Sequence, residues 1–469
     1  MGKSKIEEEE VEEILRELNN VNVDIREKAA SNLEDMKNEI KHLDRNKLKN
    51  IIPKLIDKLD DSSDKVRYYV AWTLQNISAD FPELFKDKVV ELMEKLNRPC
   101  EEPYRIYDRN RHDEIYFPNR CQHARYRISQ ILQNISESFP ELFKDKISKL
   151  MKLLDDSNDK VRINAAYIFG NIGEKYPELI KDVIPRLMEN MYDHEDICYS
   201  SLLALYKVAE KYIDVFKDKI DDLIERLEWF STSEDIPEII ADLLHIIWRK
   251  YPNLVKEKIK ELGKDLDQCK VAALCAIAYK HPELVFELIP KLKEALNDPD
   301  ELIRERAAAT LGNIGIKYPQ LIEDIIPRLV ELLIDGYPDT CEVTYDVLDD
   351  LIKKHPKTIE KIVPKLKEVT LKVITETSTF EEYYLENLTR LIKQIIIRKG
   401  SKAIKDLISK LIEKIDDPSE ETRKRAIWTL REIGKEKPEI VKNTAQKIME
   451  KLNDLSEKSA KNPPKPSKK

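Results

Sequence analysis

One stretch of the chain combines residue types that recognise other molecules rather than transform them. Residues 98–127 read RPCEEPYRIYDRNRHDEIYFPNRCQHARYR, with seven arginines and no lysine in a chain otherwise rich in lysine. Tyrosines and a phenylalanine lie between these arginines. Guanidinium groups stack on aromatic rings and bind carboxylates or phosphates through two hydrogen bonds, and arginine with tyrosine is enriched where interfaces concentrate their binding energy. The composition therefore predicts binding by this segment.

The same stretch interrupts a regular spacing of prolines. Pro82 and Pro140 are 58 residues apart, against 37 for comparable prolines elsewhere, an excess of 21. We predict an insertion at about 98–123, and long loops on a rigid scaffold usually carry function. The alternative is that it packs on its own repeat through arginine–carboxylate pairs. The partner-binding residues predicted in and beside it are Tyr104, Arg105, Tyr107, Arg109, Arg111, Tyr116, Arg125 and Tyr126.

Two cysteines and two histidines in this region leave three interpretations open. Cys100, His112, Cys121 and His123 could complete a tetrahedral zinc set, but their spacing departs from the close pairs of structural zinc sites. A disulfide between Cys100 and Cys121 is the second interpretation, and it suits the thermophile-like excess of Lys, Glu and Ile. Free thiols are the third, and we expect them by default.

Motifs of catalysis were not found. The chain has no Gly-rich phosphate loop, no GxSxG, no HExxH and no clustered Ser, His and Asp pattern. His281 and His355 each precede a proline and are interpreted as helix-end residues. The cysteines at 198, 269, 275 and 341 are expected to fill gaps in the core. We therefore expect a non-enzymatic protein with no cofactor and no metal.

The elements that must position these residues form an internal repeat. Four stretches share one pattern: 51–87, 146–182, 289–324 and 407–443. Prolines 140 and 177, 282 and 319, and 319 and 356 are each 37 residues apart. Self-similarity at such a period is the signature of stacked repeats.

Each repeat is predicted to contain two amphipathic helices. In the repeat from residue 51, the apolar stripe of the first helix is Ile52, Leu55, Ile56 and Leu59, and that of the second is Val66, Val70, Leu74 and Ile77. Proline is expected at the start of the first helix, where no amide hydrogen is needed, at Pro53, Pro185, Pro290, Pro327 and Pro364. A pair of such helices cannot bury both stripes alone, so stacked neighbours should share one continuous core.

These features resemble the HEAT-repeat family. An aspartate at the turn followed by a Val-Arg-like pair occurs at Asp60 with Arg67, Asp155 with Arg162, Asp298 with Arg304 and Asp416 with Arg423, and the closing motif is Asn76-Ile77, Gly170-Asn171-Ile172-Gly173 and Gly312-Asn313-Ile314-Gly315. The resemblance implies an all-α, right-handed α-solenoid of about eleven helical hairpins. It also implies a ladder of Asp–Arg hydrogen bonds between repeats, interrupted where Tyr199 and Cys341 replace arginine.

A second candidate surface follows from this resemblance, because the second helices of such arrays line the concave face. Alignment by the repeat-ending prolines puts Trp72, Gln130, Tyr167 and Trp428 at one equivalent position, with Tyr68 and Tyr126 one turn earlier. We predict that Tyr68, Trp72, Tyr126 and Tyr167 bind the partner. The alternative is that these rings are packed between helices.

Composition and charge limit the kind of partner that the chain is predicted to bind. The 469 residues include only 9 glycines and carry a net charge of −8, which disfavours a general nucleic-acid binder. We predict a capping repeat at 1–50, a solenoid at 51–455 and a disordered basic tail at 456–469. With no signal peptide or membrane span expected, the chain is interpreted as a cytoplasmic scaffold or adaptor for a protein partner. The alternative is nucleic-acid binding through the arginine-rich insertion and the tail.

Overall fold

The computed structural model describes residues 2–96, 105–108, 113–116, 120–231, 233, 235–376 and 382–442. The chain forms two compact units, Met1–Lys219 and Ile220–Lys469. Within the described residues almost every element is helical, so the all-α prediction is confirmed, with one short β-hairpin in the insertion.

The first unit contains five helical hairpins, formed by α1 and α2, α4 and α5, α6 and α7, α8 and α9, and α10 and α11. Its helices and strands are α1 (Gly2–Glu17), α2 (Val23–Asp35), α3 (Lys37–Lys41), α4 (Arg45–Asp57), α5 (Asp64–Asp80), α6 (Val89–Leu96), β1 (Arg105–Asp108), β2 (Asp113–Tyr116), α7 (Arg120–Ser138), α8 (Ile147–Met151), α9 (Asp159–Lys175), α10 (Ile184–Asn190), α11 (Glu195–Ala209) and α12 (Ile213–Phe216). The second helices α2, α5, α7, α9 and α11 pack side by side in that order.

The described residues of the second unit form six hairpins, from α13 and α14 through α23 and α24, so the described part of the chain contains eleven, the number predicted. Its helices are α13 (Ile220–Trp229), α14 (Ile236–Lys250), α15 (Pro252–Leu262), α16 (Gln268–Lys280), α17 (Ile289–Ala295), α18 (Glu301–Lys317), α19 (Ile326–Leu332), α20 (Pro338–Lys354), α21 (Ile359–Thr375), α22 (Glu382–Lys399), α23 (Lys405–Glu413), α24 (Glu420–Glu436) and α25 (Pro438–Val441). The even-numbered helices from α14 to α24 again pack in sequence order.

Local chemistry sets the bounds of each second helix. The Ser63 hydroxyl caps α5 by accepting a hydrogen bond from the Val66 amide. The predicted apolar stripe of α5 is entirely buried. The helix ends at Phe81, whose φ of −134° and ψ of 58° precede Pro82 and a 3₁₀ turn. The same backbone conformation precedes Pro282 and Pro356, so the prediction that His281 and His355 lie at helix ends is confirmed.

The prolines of the first helices divide into two groups. Pro185, Pro290 and Pro327 occupy the first turn of their helices, as predicted. Pro53 and Pro364 instead lie inside α4 and α21, so that part of the prediction is wrong. Both helices begin well before their proline, at Arg45 and Ile359, and α21 starts directly after the 3₁₀ turn Pro356–Thr358.

The arginine ladder is present, but its aspartates differ from those predicted. Arg162 donates to the carbonyl of Asp156 in its own turn at 2.8 Å and to Asp193 of the next repeat at 3.2 Å. The aspartates that receive an arginine from the preceding repeat are Asp61, Asp156, Asp193 and Asp335. Asp60 and Asp155 are one residue too early and pair with Lys95 and Arg186 instead.

Cys341 shows how the ladder ends where arginine is missing. Its thiol donates to the carbonyl of Asp335, six residues earlier, at 3.2 Å. An arginine at this position contacts the same carbonyl, as Arg304 does with Asp298. Burial first, and then the charge of Asp335, raise the pKa of Cys341 to about 12, so the thiol stays protonated. Of the four cysteines predicted to fill the core, Cys269 is exposed and that prediction is wrong for it.

A second ladder runs through the closing motif of the repeats. Asn134 donates to the Ser78 hydroxyl at 2.9 Å and Asn171 to the Ser136 hydroxyl at 3.0 Å, in each case in the preceding repeat. Asn313 makes the corresponding contact with Cys275 at 3.8 Å. The asparagine of the Asn-Ile motif is therefore an inter-repeat donor.

The insertion lies between α6 and α7. The strands β1 and β2 pair antiparallel, with Arg105 opposite Tyr116 and Asp108 opposite Asp113. Because α7 begins at Arg120, residues 120–123 at the end of the predicted insertion are helical. The predicted tail at 456–469 lies outside the described residues.

Candidate functional site

Two aromatic side chains on α5 form the centre of the candidate site. Tyr68 and Trp72 are one helical turn apart, and their rings meet edge to face with centroids 5.6 Å apart at 64°. This is a favourable geometry for aromatic pairs. Both residues are half-buried, so each ring has one part in the repeat and one part in solvent.

Helix α7 places an arginine between rings of two neighbouring repeats. The guanidinium carbon of Arg127 is 4.8 Å from the centroid of the Trp72 ring and 5.1 Å from that of Tyr126. His123, one turn before Arg127, approaches Tyr68 with ring centroids 6.0 Å apart. Because α5 and α7 pack together, one arginine joins the aromatic side chains of both helices.

Two lysines complete the arrangement. Lys37, at the start of α3, places its Nζ 4.8 Å from the Trp72 ring, and it also pairs with Glu34. Lys160, at the start of α9, places its Nζ 5.1 Å from the Tyr126 ring. We call this set the cationic aromatic cluster: Lys37, Tyr68, Trp72, Tyr126, Arg127 and Lys160. It presents three cations across the four helices α3, α5, α7 and α9.

The electrostatics of the cluster favour an anionic ligand. Burial first, and then the positive charges of Lys160 and Arg127, lower the pKa of His123, so its imidazole is neutral at neutral pH. The Arg127 Nη1 donates to Gln75 at 2.8 Å, whereas its buried Nε has no hydrogen-bond partner among the described residues. A carboxylate brought to this surface would meet the positive charges of Arg127 and Lys160, whereas Lys37 is already paired with Glu34.

The structure brings together three of the four aromatic residues predicted on the second helices. Tyr68, Trp72 and Tyr126 all belong to the cationic aromatic cluster. Tyr167 lies on α9 two turns after Lys160, on the same side of that helix, and is half-buried. Trp428 is also half-buried, at the equivalent position of α24. The rings of these residues are thus neither fully buried nor fully exposed to solvent.

The residues predicted in the insertion are only partly described. Arg105, Tyr107 and Tyr116 lie in the two strands. Tyr104, Arg109 and Arg111 lie outside the described residues, as do Cys100 and His112. The binding role of the insertion therefore remains a prediction.

Arg125 occupies a structural position. Its guanidinium pairs with Asp156 of the next repeat and donates to the carbonyl of Leu96 at 2.9 Å and to Gln122 at 3.1 Å. These are the contacts of a ladder arginine, so we do not include Arg125 in the site. This role was available from the sequence, because Arg125 lies 15 residues before Pro140, as Arg162 does before Pro177.

The state of Cys121 bears on the predicted zinc set. Cys121 is disulfide-bonded, which excludes it as a thiolate ligand of the predicted zinc set. Cys198, Cys269, Cys275 and Cys341 are free. The proposed partner, Cys100, lies outside the described residues.

Sequence reasoning missed the three cations of the cluster. Arg127 directly follows a predicted binding residue, Tyr126, so its position on α7 could have been predicted from the sequence. Lys37 and Lys160 lie at the starts of α3 and α9, and only the packing of α3 on α5 and of α9 on α7 brings them to Trp72 and Tyr126.

Comparisons with known proteins agree with the repeat architecture. A family model for the HEAT repeat matches residues 147–176, and a model for non-SMC mitotic condensation complex subunit 1 matches residues 269–395. No curated protein matches the chain. Within the described residues, no helix is both long enough and apolar enough to cross a membrane.

Solved structures share the fold at low sequence identity. The Kap95:Nup1 complex matches with a TM-score of 0.60 and 12% identity, over 95% of this chain and 59% of that one. Kap121p matches with a TM-score of 0.60 and 14% identity, over 97% and 48%. Kap121p bound to Nup53p matches with a TM-score of 0.58 and 15% identity, over 96% and 48%. The chain thus spans about half the length of these proteins.

The eleven hairpins, the two inter-repeat ladders and these matches agree with one another. The chain has the α-solenoid fold and contains a HEAT repeat at residues 147–176.

Proposed function

We propose that this protein is a non-enzymatic scaffold that binds an acidic segment of a protein partner through the cationic aromatic cluster. The observation that carries the proposal is the position of Arg127 between the half-exposed rings of Trp72 and Tyr126. Arginine and aromatic residues that are partly desolvated are the usual anchors of protein interfaces. The Arg/Tyr-rich insertion between α6 and α7 provides a second contact.

The chemistry of the cluster defines the partner. Lys37, Arg127 and Lys160 favour carboxylates, while the faces of Trp72 and Tyr126 favour apolar or aromatic side chains. A segment with both, such as acidic residues flanking Phe or Leu, matches the surface. The cluster extends across helices α3, α5, α7 and α9, so an extended segment can contact several repeats at once.

Two of the structures with this fold support binding to proteins. The Kap95:Nup1 complex and Kap121p bound to Nup53p each pair a solenoid with a protein partner. In a solenoid of this kind, affinity is assembled from many modest contacts along the second helices. We infer the same mode of binding for this chain.

Affinity capture from a native lysate, with and without nuclease, tests the proposal. The full chain should retain the same proteins after nuclease treatment, and their binding should weaken only moderately as salt increases. Nucleic-acid binding predicts the opposite, because release of condensed counterions makes affinity fall steeply with the logarithm of salt. Capture that disappears with nuclease would overturn the proposal.

A further inference from the structure

Two histidines and a glutamate meet at the end of α16 in the second unit. His281 caps α16, and Glu283 follows in the next 3₁₀ turn. His245 lies on α14, which packs against α16. The two imidazole rings stack with centroids 4.0 Å apart at 15°. This cluster is separate from the cationic aromatic cluster, which belongs to the first unit.

The distances in this group approach those of a metal site. The Glu283 Oε1 lies 3.3 Å from the His245 Nδ1 and 3.6 Å from the His281 Nδ1. One ligand atom from each residue falls within 4.8 Å of the other two. Around a tetrahedral Zn²⁺ with bonds of about 2.1 Å, ligand atoms are about 3.4 Å apart. Two of the three separations therefore fit, and the third, between the two imidazoles, is no more than 4.8 Å.

A carboxylate orients one of the two imidazoles for this role. The Asp242 Oδ1 lies 2.7 Å from the His281 Nε2. An ionised carboxylate only accepts hydrogen bonds, so the Nε2 of His281 carries the proton. In the neutral ring the lone pair is then on Nδ1, the atom nearest Glu283. A carboxylate that fixes a histidine tautomer in this way is a regular feature of zinc sites.

The Nδ1 atom of His245, which faces Glu283, makes no hydrogen bond among the described residues. This nitrogen is buried, and buried nitrogen atoms rarely remain unpaired.

The nearby lysine does not occupy the site. Lys280 forms an ion pair with Glu238 at 2.7 Å, so its charge is balanced by a carboxylate one turn before Asp242 on α14. The negative charges of Glu283 and Asp242 remain beside the two imidazoles. The local charge therefore suits a divalent cation.

We propose that His245, His281 and Glu283 bind one divalent transition-metal ion of the Zn²⁺ class, with Asp242 orienting His281. Two imidazoles and a carboxylate leave the fourth tetrahedral position for water. The site was not expected from the sequence, because its histidines lie in different repeats and match no spaced metal motif. It is independent of the proposed scaffold function.

Titration of the metal-free protein tests this site. The full chain, prepared without a histidine tag and stripped with a chelator, is titrated with Zn²⁺ by calorimetry and with Co²⁺ by absorption spectroscopy. We expect one ion per chain and the intense visible bands of four-coordinate Co²⁺. A thiolate-to-cobalt band would place the ion at the free cysteines and overturn the proposal.

Substitutions assign the ligands. His245→Ala or His281→Ala should abolish binding, Glu283→Gln should weaken it strongly, and Asp242→Asn should weaken it about 10- to 100-fold. His355→Ala is the matched control, because His355 occupies the same helix-end position before Pro356 in another repeat and should leave binding unchanged.

Thermal melting separates loss of the ion from loss of the fold. Zn²⁺ should raise the melting temperature of the wild-type protein and not that of the isosteric Glu283→Gln variant. The absence of binding by the folded wild-type protein, or binding that survives both histidine substitutions, would overturn the proposal.

Discussion

Arg304 holds Asp335 of the next repeat through two parallel hydrogen bonds. The Arg304 Nε and Nη2 lie 2.9 and 2.7 Å from the two carboxylate oxygens, and the side chains are only 9% and 11% exposed. The remaining nitrogen, Nη1, donates to the carbonyls of Asp298 and Pro299 in its own turn. One guanidinium therefore fixes a turn and ties it to the neighbouring repeat.

The ladder should contribute far more to stability than exposed ion pairs do. Arg304→Ala leaves a largely buried carboxylate without its partner, and we expect a loss of about 3–5 kcal/mol. Calorimetry, with amide hydrogen exchange on α18 and α20, measures the effect locally. The control is Lys293→Ala, which breaks the more exposed pair with Asp324 and should cost less than about 1 kcal/mol. Equal losses in the two variants would contradict the structural role of the ladder.

The glycines of the closing motif are predicted to be required for helix packing. A methyl group at Gly312 would lie 2.5 Å from the Val347 Cγ2 on α20. Gly312→Ala should therefore destabilise the protein by about 1–3 kcal/mol, measured by thermal and chemical unfolding. Adding Val347→Ala should recover part of the loss because it removes the clash. Gly336→Ala is the control, since nothing lies within 4 Å of a methyl group there.

The arginines of the insertion are predicted to act in binding and not in folding. We expect the combined substitution of Arg105, Arg109 and Arg111 by glutamine to abolish partner capture with little change in melting temperature. The reason is that the insertion interrupts the repeat pattern without contributing to its apolar stripes. Undiminished capture by the triple variant would remove the insertion from the binding surface.

Partner binding should strengthen as the pH falls below neutral. In the free protein, burial and the charges of Lys160 and Arg127 lower the pKa of His123. An acidic partner placed against these cations raises that pKa again, so binding takes up a proton and affinity increases as pH falls through the pKa of the complex. Titration calorimetry between about pH 7.5 and 5.5 measures this, near the ordinary histidine value of about 6.5. His123→Gln should remove most of the slope, and an unchanged slope would exclude His123.

Much of the architecture could be predicted from apolar spacing and turn chemistry. The stripe from Val66 to Ile77 and the proline that follows it determine a second helix wherever they recur, and these signals are local. The ladder partners could not be assigned by spacing alone. Adjacent aspartates such as Asp60 and Asp61 are equivalent in sequence, and only the turn geometry shows which one faces Arg26.

The residues of the candidate site likewise include some that could be predicted from the sequence and some that could not. Tyr68 and Tyr126 were predicted because their repeat positions are equivalent, and Trp72 because it lies one turn after Tyr68. Lys37 and Lys160 come from other repeat positions, so their approach to the rings depends on packing between repeats. The pairing of His245 with His281 likewise depends on how α14 meets α16, which no local motif encodes.

The most direct test of the central claim is the affinity of the captured partner for a cluster variant. Trp72→Ala combined with Arg127→Ala should lower affinity by at least about 100-fold, because both anchors of the interface are lost. Trp428→Ala, at the equivalent repeat position of the second unit, should bind as the wild-type protein does. Wild-type affinity in the Trp72/Arg127 variant, with its fold confirmed by melting, would contradict the assignment of the cationic aromatic cluster as the partner-binding site.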